Sequence, residues 1–215
     1  MRTSLALSLI LLAAPLQAHP HIFVNTGLSF VIDEQNRLTH VQVTWEYDEL
    51  YSLLITEDLG VDADYDGVLS PEDITKLTGF DMQWVDGYNG DLVGALDGVP
   101  LALSRPTSPT AALVDGKIVT THLRAVDGSP AVTGTLSFKP YDGTYYTAYE
   151  VGLGVTVRGR SGCEIILDEP DINGALAMTK AELAAIPEDM DIAEAGFGDI
   201  GVRFATDVRL TCSAP

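Results

Sequence analysis

The sequence predicts a mainly β protein, and three observations carry that prediction. Two long alternating runs open the chain just after residue 20, short β-rich runs recur after Gly90 with turn dipeptides between them, and helical spacing is confined to two stretches. Many short strands at regular turn spacing argue for a β-sandwich of immunoglobulin-like type. An EF-hand-like helix–loop–helix is expected as an insert between the second and third strands, with a short helical segment near the C-terminus.

The elements follow in order. Ile22 to Asp33 alternates, with Ile22, Val24, Leu28, Phe30 and Ile32 on one face, the pattern of a strand with one buried side. Asp33 to Asn36 reads as a turn, and Arg37 to Tyr47 alternates again with Val41, Val43, Trp45 and Tyr47 on its apolar face. With the turn centred on Glu34–Gln35, Val24 is expected opposite Trp45, Leu28 opposite Val41, His21 opposite Asp48 and Phe23 opposite Glu46. Glu49 to Leu59 switches to helical spacing, with Leu50, Leu53, Leu54 and Leu59 on one stripe. Pro71 to Leu77 starts a second helix, because proline is favoured in a first turn. Strands are then expected over Leu92–Leu96, Pro100–Leu103, Ala111–Val114, Lys117–Arg124, Val132–Phe138, Tyr145–Gly152 and Gly162–Leu167. Asp97-Gly98 and Asp115-Gly116 are two-residue hairpin turns. Gly174 to Ile186 is rich in alanine and leucine and reads as helix, and Val202 to Cys212 as the last strand.

The first 18 residues have the order of a secretory signal: Arg2, an apolar run from Leu5 to Leu12, then Leu16-Gln17-Ala18 at a cleavage position. That implies a periplasmic protein, with residues 19–215 as one domain carrying its insert at about 48–88. No later run approaches the roughly 20 apolar residues of a membrane span, so the cleaved chain is not expected to cross a bilayer. No cysteine stands near the cut to carry a lipid. The net charge is −19, and Arg2 is the only charged residue before the cut. So acidic a chain repels nucleic acid and anionic membranes, and suits cations or plain solubility. The two cysteines, Cys163 and Cys212, are expected to form one disulfide in an oxidising compartment.

Asp62 to Asp73 has the spacing of a calcium loop. Such a loop needs oxygen ligands at positions 1, 3, 5, 7, 9 and 12 and a glycine at 6 to turn the chain. Those positions hold Asp62, Asp64, Asp66, Val68 (through its carbonyl), Ser70 and Asp73, with Gly67 at the turn and apolar Leu69 beside it. Asp73 stands where a bidentate Glu is usual and is one methylene shorter, which favours a weaker or smaller site. A lone loop of this kind is expected to brace the structure with Ca²⁺ rather than act as a switch. Cleavage after Ala18 would create a second locus. His19 and His21 lie on one side of an extended chain, and with the free α-amine they suit Zn²⁺, Ni²⁺ or Co²⁺. Glu46 and Asp48 are expected on the same non-core face, as ligands or as partners that orient a ring. His40 lies farther along that face.

These residues resemble the domain-of-unknown-function family numbered 1007. The resemblance is carried by His19-Pro20-His21-Ile22-Phe23-Val24, by Val43-Thr44-Trp45-Glu46-Tyr47-Asp48-Glu49, by the helix ending Glu57-Asp58-Leu59, by the Asp-rich loop, and by Tyr141-Asp142 before Tyr145-Tyr146. It covers most of residues 19–167 and, through the cysteines, the last strand. Members often carry Asp where Asn25 stands, and Pro170 to Gly201 is less similar. The resemblance implies a periplasmic component of an uncharacterised transport system, associated with nickel/cobalt-type efflux permeases. The expected function is therefore an exported metal-binding accessory protein serving a membrane metal transporter, not an enzyme. No Ser-His-Asp order or cysteine nucleophile stands out, and no carboxylate pair can be singled out among 31 acidic residues. Two alternatives stay open: a calcium-stabilised adhesion or scaffold domain, and a copper-dependent oxidative enzyme using His19 with His40 or His122.

Overall fold

The computed structural model describes residues 20–185 and 199–213. Among the described residues ten strands form two five-stranded sheets. The first has the order β5-β6-β2-β1-β8, from β1 (Ile22–Ile32), β2 (Leu38–Tyr47), β5 (Thr107–Val114), β6 (Lys117–Ala125) and β8 (Thr147–Arg158). The second has the order β4-β3-β7-β10-β9, from β3 (Leu92–Leu96), β4 (Val99–Leu101), β7 (Thr135–Pro140), β9 (Cys163–Asp168) and β10 (Asp207–Cys212). Every strand pair is antiparallel except β1 with β8. The α-helices among the described residues are α1 (Glu49–Leu59), α2 (Pro71–Leu77) and α3 (Ile172–Ala184). The mainly β expectation and the place of the two helices between β2 and β3 are both met.

One core is shared by the two sheets. Phe30 of β1 and Phe138 of β7, both fully buried, meet with ring centroids 4.9 Å apart. Val24, Leu28, Phe30 and Ile32 from β1 and Val41, Val43, Trp45 and Tyr47 from β2 lie in it, as the alternation predicts. Leu136, Phe138, Val208 and Leu210 line it from the second sheet. Asp97 and Asp115 both adopt positive φ (49° and 50°) before glycines at 80° and 78°, the type I′ geometry that their hairpins require.

The register of the first hairpin differs from the expected one by two residues. Val24 faces Tyr47, Thr26 faces Trp45, Leu28 faces Val43 and Phe30 faces Val41. The cause is local. Asp33 closes on Arg37 through Asp33 N–H to Arg37 O at 3.0 Å, Asn36 takes φ 60°, and a bulge at Val31/Ile32 offsets the ladder. A shift of two keeps every side chain on its predicted face but changes each partner.

Two further differences concern helices and the C-terminus. Leu50, Leu53 and Leu54 point to solvent. α1 instead buries Ser52 and Thr56 and packs Tyr51, Ile55 and Leu59 on the core. Ser52 is chosen over a leucine because its Oγ accepts from Ile118 N–H of β6 at 2.9 Å and donates to Tyr47 O at 3.3 Å. The last strand begins only at Asp207, and residues 200–204 form a 3-10 turn. There Gly201 N–H donates to Gly143 O, and a Cβ at 201 would lie 1.7 Å from Asp142 O, so the chain bends to dock on the 142–145 loop. Phe204 stacks on Tyr145 at 3.8 Å, and Arg203 grips Glu182 of α3 with two bonds of 2.8 Å. The helix expected to end at Ile186 starts at Ile172, and its predicted last residue lies outside the described ones, as do residues 1–18, which are expected to form a signal. Cys163 and Cys212 are bonded and directly opposed in the β9–β10 pair. Among the described residues no helix is long and apolar enough to cross a membrane.

Candidate functional site

The acidic loop Asp62–Asp73 begins where α1 is stopped. Gly60 takes the left-handed conformation, its N–H reaches Glu57 O, and Val61 N–H reaches Thr56 O at 3.0 Å, a Schellman end that seats buried Val61 under the helix. The loop then winds through positive φ at Tyr65 (57°) and Gly67 (76°). Gly67 N–H donates to Asp62 Oδ1 at 3.0 Å and Val68 N–H to Asp66 Oδ1 at 2.7 Å, so the backbone itself aims the carboxylates inward. Asp62, Asp64 and Asp66 each present an oxygen within 4.8 Å of the others. Leu69 packs against the core. Ser70 and Asp73 are brought to each other rather than to the triad. Ser70 caps α2, and Asp73 Oδ2 accepts from Ser70 N–H at 3.1 Å and from Ser70 Oγ at 2.6 Å. Those bonds from Ser70 hold the Asp73 carboxyl below its usual range. Val68 is exposed. Tyr65 donates to Glu57, fastening the loop to the end of α1.

Around His21 the register correction decides the geometry. Phe23, not His21, is opposite Asp48: Phe23 N–H donates to Asp48 Oδ2 at 2.8 Å and Asp48 N–H donates to Phe23 O at 3.0 Å. Asp48 Oδ1 caps α1 by accepting from Tyr51 N–H at 2.9 Å. Both carboxylate oxygens are thus committed to backbone. Glu46 lies opposite Asn25, accepts from its Nδ2 at 3.4 Å, and sits 4.0 Å from Lys117 Nζ. Asn25 Oδ1 in turn accepts from Gly152 N–H at 2.9 Å where β8 bulges, a bridge that uses both halves of the amide. An Asp at that position would have no N–H to give Glu46. These groups line a shallow groove of about 250 Å³. His21 lies past the end of β2, its N–H bonded to Tyr146 O at 2.8 Å and its ring 4.8 Å from that of Tyr146. His19 lies outside the described residues. Among the described residues His21, Glu46 and Asp48 are not gathered into one ligand set; the Asp triad is the only such cluster.

Asp48 is therefore expected to be a structural residue. Asp48→Ala removes a helix cap and a strand-end acceptor, and should lower stability by about 1–3 kcal/mol with no metal added. Urea unfolding in chelator measures this, and an unchanged midpoint would show that neither bond matters.

The structure reveals a third locus, in the core. The β6 residues that face inward are Ile118, Thr120, His122 and Arg124, all buried. The segment 78–91 covers them. Asp81 Oδ2 accepts from Tyr47 OH at 2.9 Å and Thr120 Oγ1 at 2.8 Å, and Asp91 Oδ2 accepts from Tyr149 OH at 2.7 Å. Burial pushes both carboxyls up. Arg124 donates to the carbonyls of Ser104, Asn89 and Leu103, with Trp84 over its guanidinium at 5.0 Å. His122 is 1 % exposed, edge-on to Trp45 (4.8 Å) and Trp84 (5.7 Å), and neither ring nitrogen has a protein hydrogen-bond partner. Burial, aided by the charge of Arg124, pulls its pKa down to about 3, so the imidazole is neutral. Asp81 Oδ1 and Thr26 Oγ1 are likewise buried without a partner. In the sequence His122 stands out only as one of two candidate partners for His19 in a copper site. The signal that marks the cluster is an inverted alternation in Lys117–Ala125, with polar residues on the buried side and Val119 and Leu123 on the other.

Fold and site together define a two-sheet β protein with an acidic loop beside the core. The chain belongs to the family described as protein of unknown function (DUF1007), which matches residues 4–212. Comparison with curated proteins gives no match.

Proposed function

We propose that this is an exported, periplasmic metal-binding accessory protein that serves a membrane metal permease, braced by Ca²⁺ in the Asp62–Asp73 loop. One observation carries the cation-binding part. Three carboxylates converge within 4.8 Å while backbone N–H groups of the same loop hold two of them in place. Three gathered anions repel one another unless a cation neutralises them. In the same reading the two sheets are an immunoglobulin-like sandwich, and α1, the loop and α2 are an EF-hand-like insert. Residues 1–18 are the signal peptide, and His19 and His21 take up Zn²⁺, Ni²⁺ or Co²⁺ at the new terminus. The structural commitments of Asp48 and Glu46 favour a site built mainly from the histidines and the amine. No catalytic residue is assigned.

Calcium is expected to raise the melting temperature. At about 10 mM and a Kd of 10⁻⁴–10⁻³ M, linkage supplies about 1–3 kcal/mol, or roughly 3–10 °C for a domain of this size. The shift should vanish in Asp62→Ala. Differential scanning calorimetry decides it, and no shift in the native protein would sink the loop reading. Transition-metal content after dialysis should fall in His19→Ala/His21→Ala. If native and variant both hold negligible Zn, Ni and Co, the commitments of Asp48 and Glu46 favour the second reading, a calcium-stabilised scaffold domain.

A further inference from the structure

α1 is held firmly and yet displays an apolar face. Its inward side is fixed by Ser52 on β6, its start by Asp48 and its end by the Gly60 motif. Its outward side carries Leu50, Leu53 and Leu54, exposed by 66 %, 47 % and 54 %. Their spacing puts them on one face. A rigid helix gives such a face a fixed shape, unlike a frayed segment that could fold the leucines away.

Beside this face lies a groove of about 470 Å³ between α1, the loop and the β5–β6 hairpin. Leu53 and Leu113 give it an apolar floor, and Asp62, Asp66 and Asp115 its charge. Glu49, Glu57 and Asp58 extend the acidic rim along α1, a helix with no basic residue. Lys117 Nζ lies 3.4 Å from Glu49 at the start of the helix.

We propose that this face docks a basic amphipathic segment of a partner protein. Leucine-type side chains at helical spacing would lie on Leu50, Leu53 and Leu54, and interleaved Lys or Arg would reach the groove carboxylates. Charge selects this occupant. An anionic bilayer meets a carboxylate rim and is repelled. A second copy would set two acidic rims against each other. The surface belongs to the accessory role proposed above, but docking itself does not depend on calcium or on the histidines. Asp62 and Asp66 are shared between loop and groove, so a bound divalent cation neutralises part of what attracts the basic segment.

The probe is a fluorescein-labelled Leu/Lys amphipathic peptide of roughly five helical turns, with a Leu/Glu peptide of the same pattern as control. Anisotropy with the purified protein should show saturable, salt-sensitive binding of the Lys peptide alone. The triple variant Leu50→Ser/Leu53→Ser/Leu54→Ser, whose residues are exposed and leave the core intact, should weaken binding at least about tenfold with unchanged circular dichroism. Asp115→Asn should weaken it a few-fold and flatten its salt dependence. The idea is overturned by equal binding of the two peptides, by wild-type affinity in the triple variant, by binding to vesicles containing phosphatidylglycerol, or by a concentration-dependent dimer that the triple variant abolishes. Saturating calcium should lower the Lys-peptide affinity several-fold in the native protein and not in Asp64→Ala. Lys-peptide binding with neither a calcium effect nor a calcium-induced melting shift would support docking while removing the calcium reading.

Discussion

The contribution of His122 should destabilise the fold as pH falls through mild acid, and His122→Leu should remove that contribution. His122 is held neutral with a pKa of about 3, whereas an unfolded chain protonates histidine near 6.5. Between those values the unfolded state binds the extra proton, so stability drops as pH decreases. The slope from this one group is about 1.4 kcal/mol per pH unit, reaching about 3 kcal/mol by pH 4. Above about pH 6.5 both states are neutral and the contribution is constant. Asp81 and Asp91 act with the opposite sign, since their folded pKa values are raised and their burial costs stability as pH rises. Comparing urea unfolding of native protein and variant at several pH values isolates the histidine. Equal slopes would mean that a partner satisfies the ring nitrogens and that the imidazole is not held neutral. Water is the simplest such partner, because a buried polar group without one costs about 1–3 kcal/mol.

The second large effect is expected at the disulfide. Cys163 and Cys212 are separated by 49 positions, and they join two strands that meet only after α3 and the 3-10 turn have intervened. Cross-linking a loop of that length restricts the unfolded chain by about 4 kcal/mol in the chain-entropy model. Cys163→Ser/Cys212→Ser should therefore lower unfolding stability by about that amount under non-reducing conditions. Reductant should lower the native protein to the level of the variant and leave the variant unmoved. A loss well under 1 kcal/mol would mean that the β9–β10 ladder already holds these residues together in the unfolded ensemble.

How far the sequence could be read depended on whether a feature is local. Alternation marks faces, so the inward sets of β1 and β2 were legible residue by residue, as were the Asp-Gly turns and the carboxylate loop. Register is not local. Asn36 and the bulge at Val31/Ile32 moved every pairing by two, and with it the partners of His21, Glu46 and Asp48. The side that α1 buries was misread for a related reason. Ile118 N–H of a strand more than sixty residues away donates to Ser52, and Tyr51, Ile55 and Leu59 pack on the core beside it; periodicity contains no trace of that strand. The buried cluster was legible only as an anomaly, because His122 and Arg124 occupy the parity that hydrophobic residues ordinarily take. Asp81 and Asp91, which join it, lie on a segment with no regular structure. The pairing of Cys163 with Cys212 was legible by counting alone.

One consequence follows from the place of β1 inside its sheet. It gains β2 at once through a short turn, but its other neighbour, β8, pairs Ile22 with Thr147, roughly 125 residues downstream. A chain delivered N-terminus first thus carries a half-satisfied strand for most of its emergence, with one row of N–H and C=O groups open to any β-prone neighbour. The order of completion is built into the topology. The first strand made is among the last to be closed, and the molecule has the logic of a seam fastened from its far end.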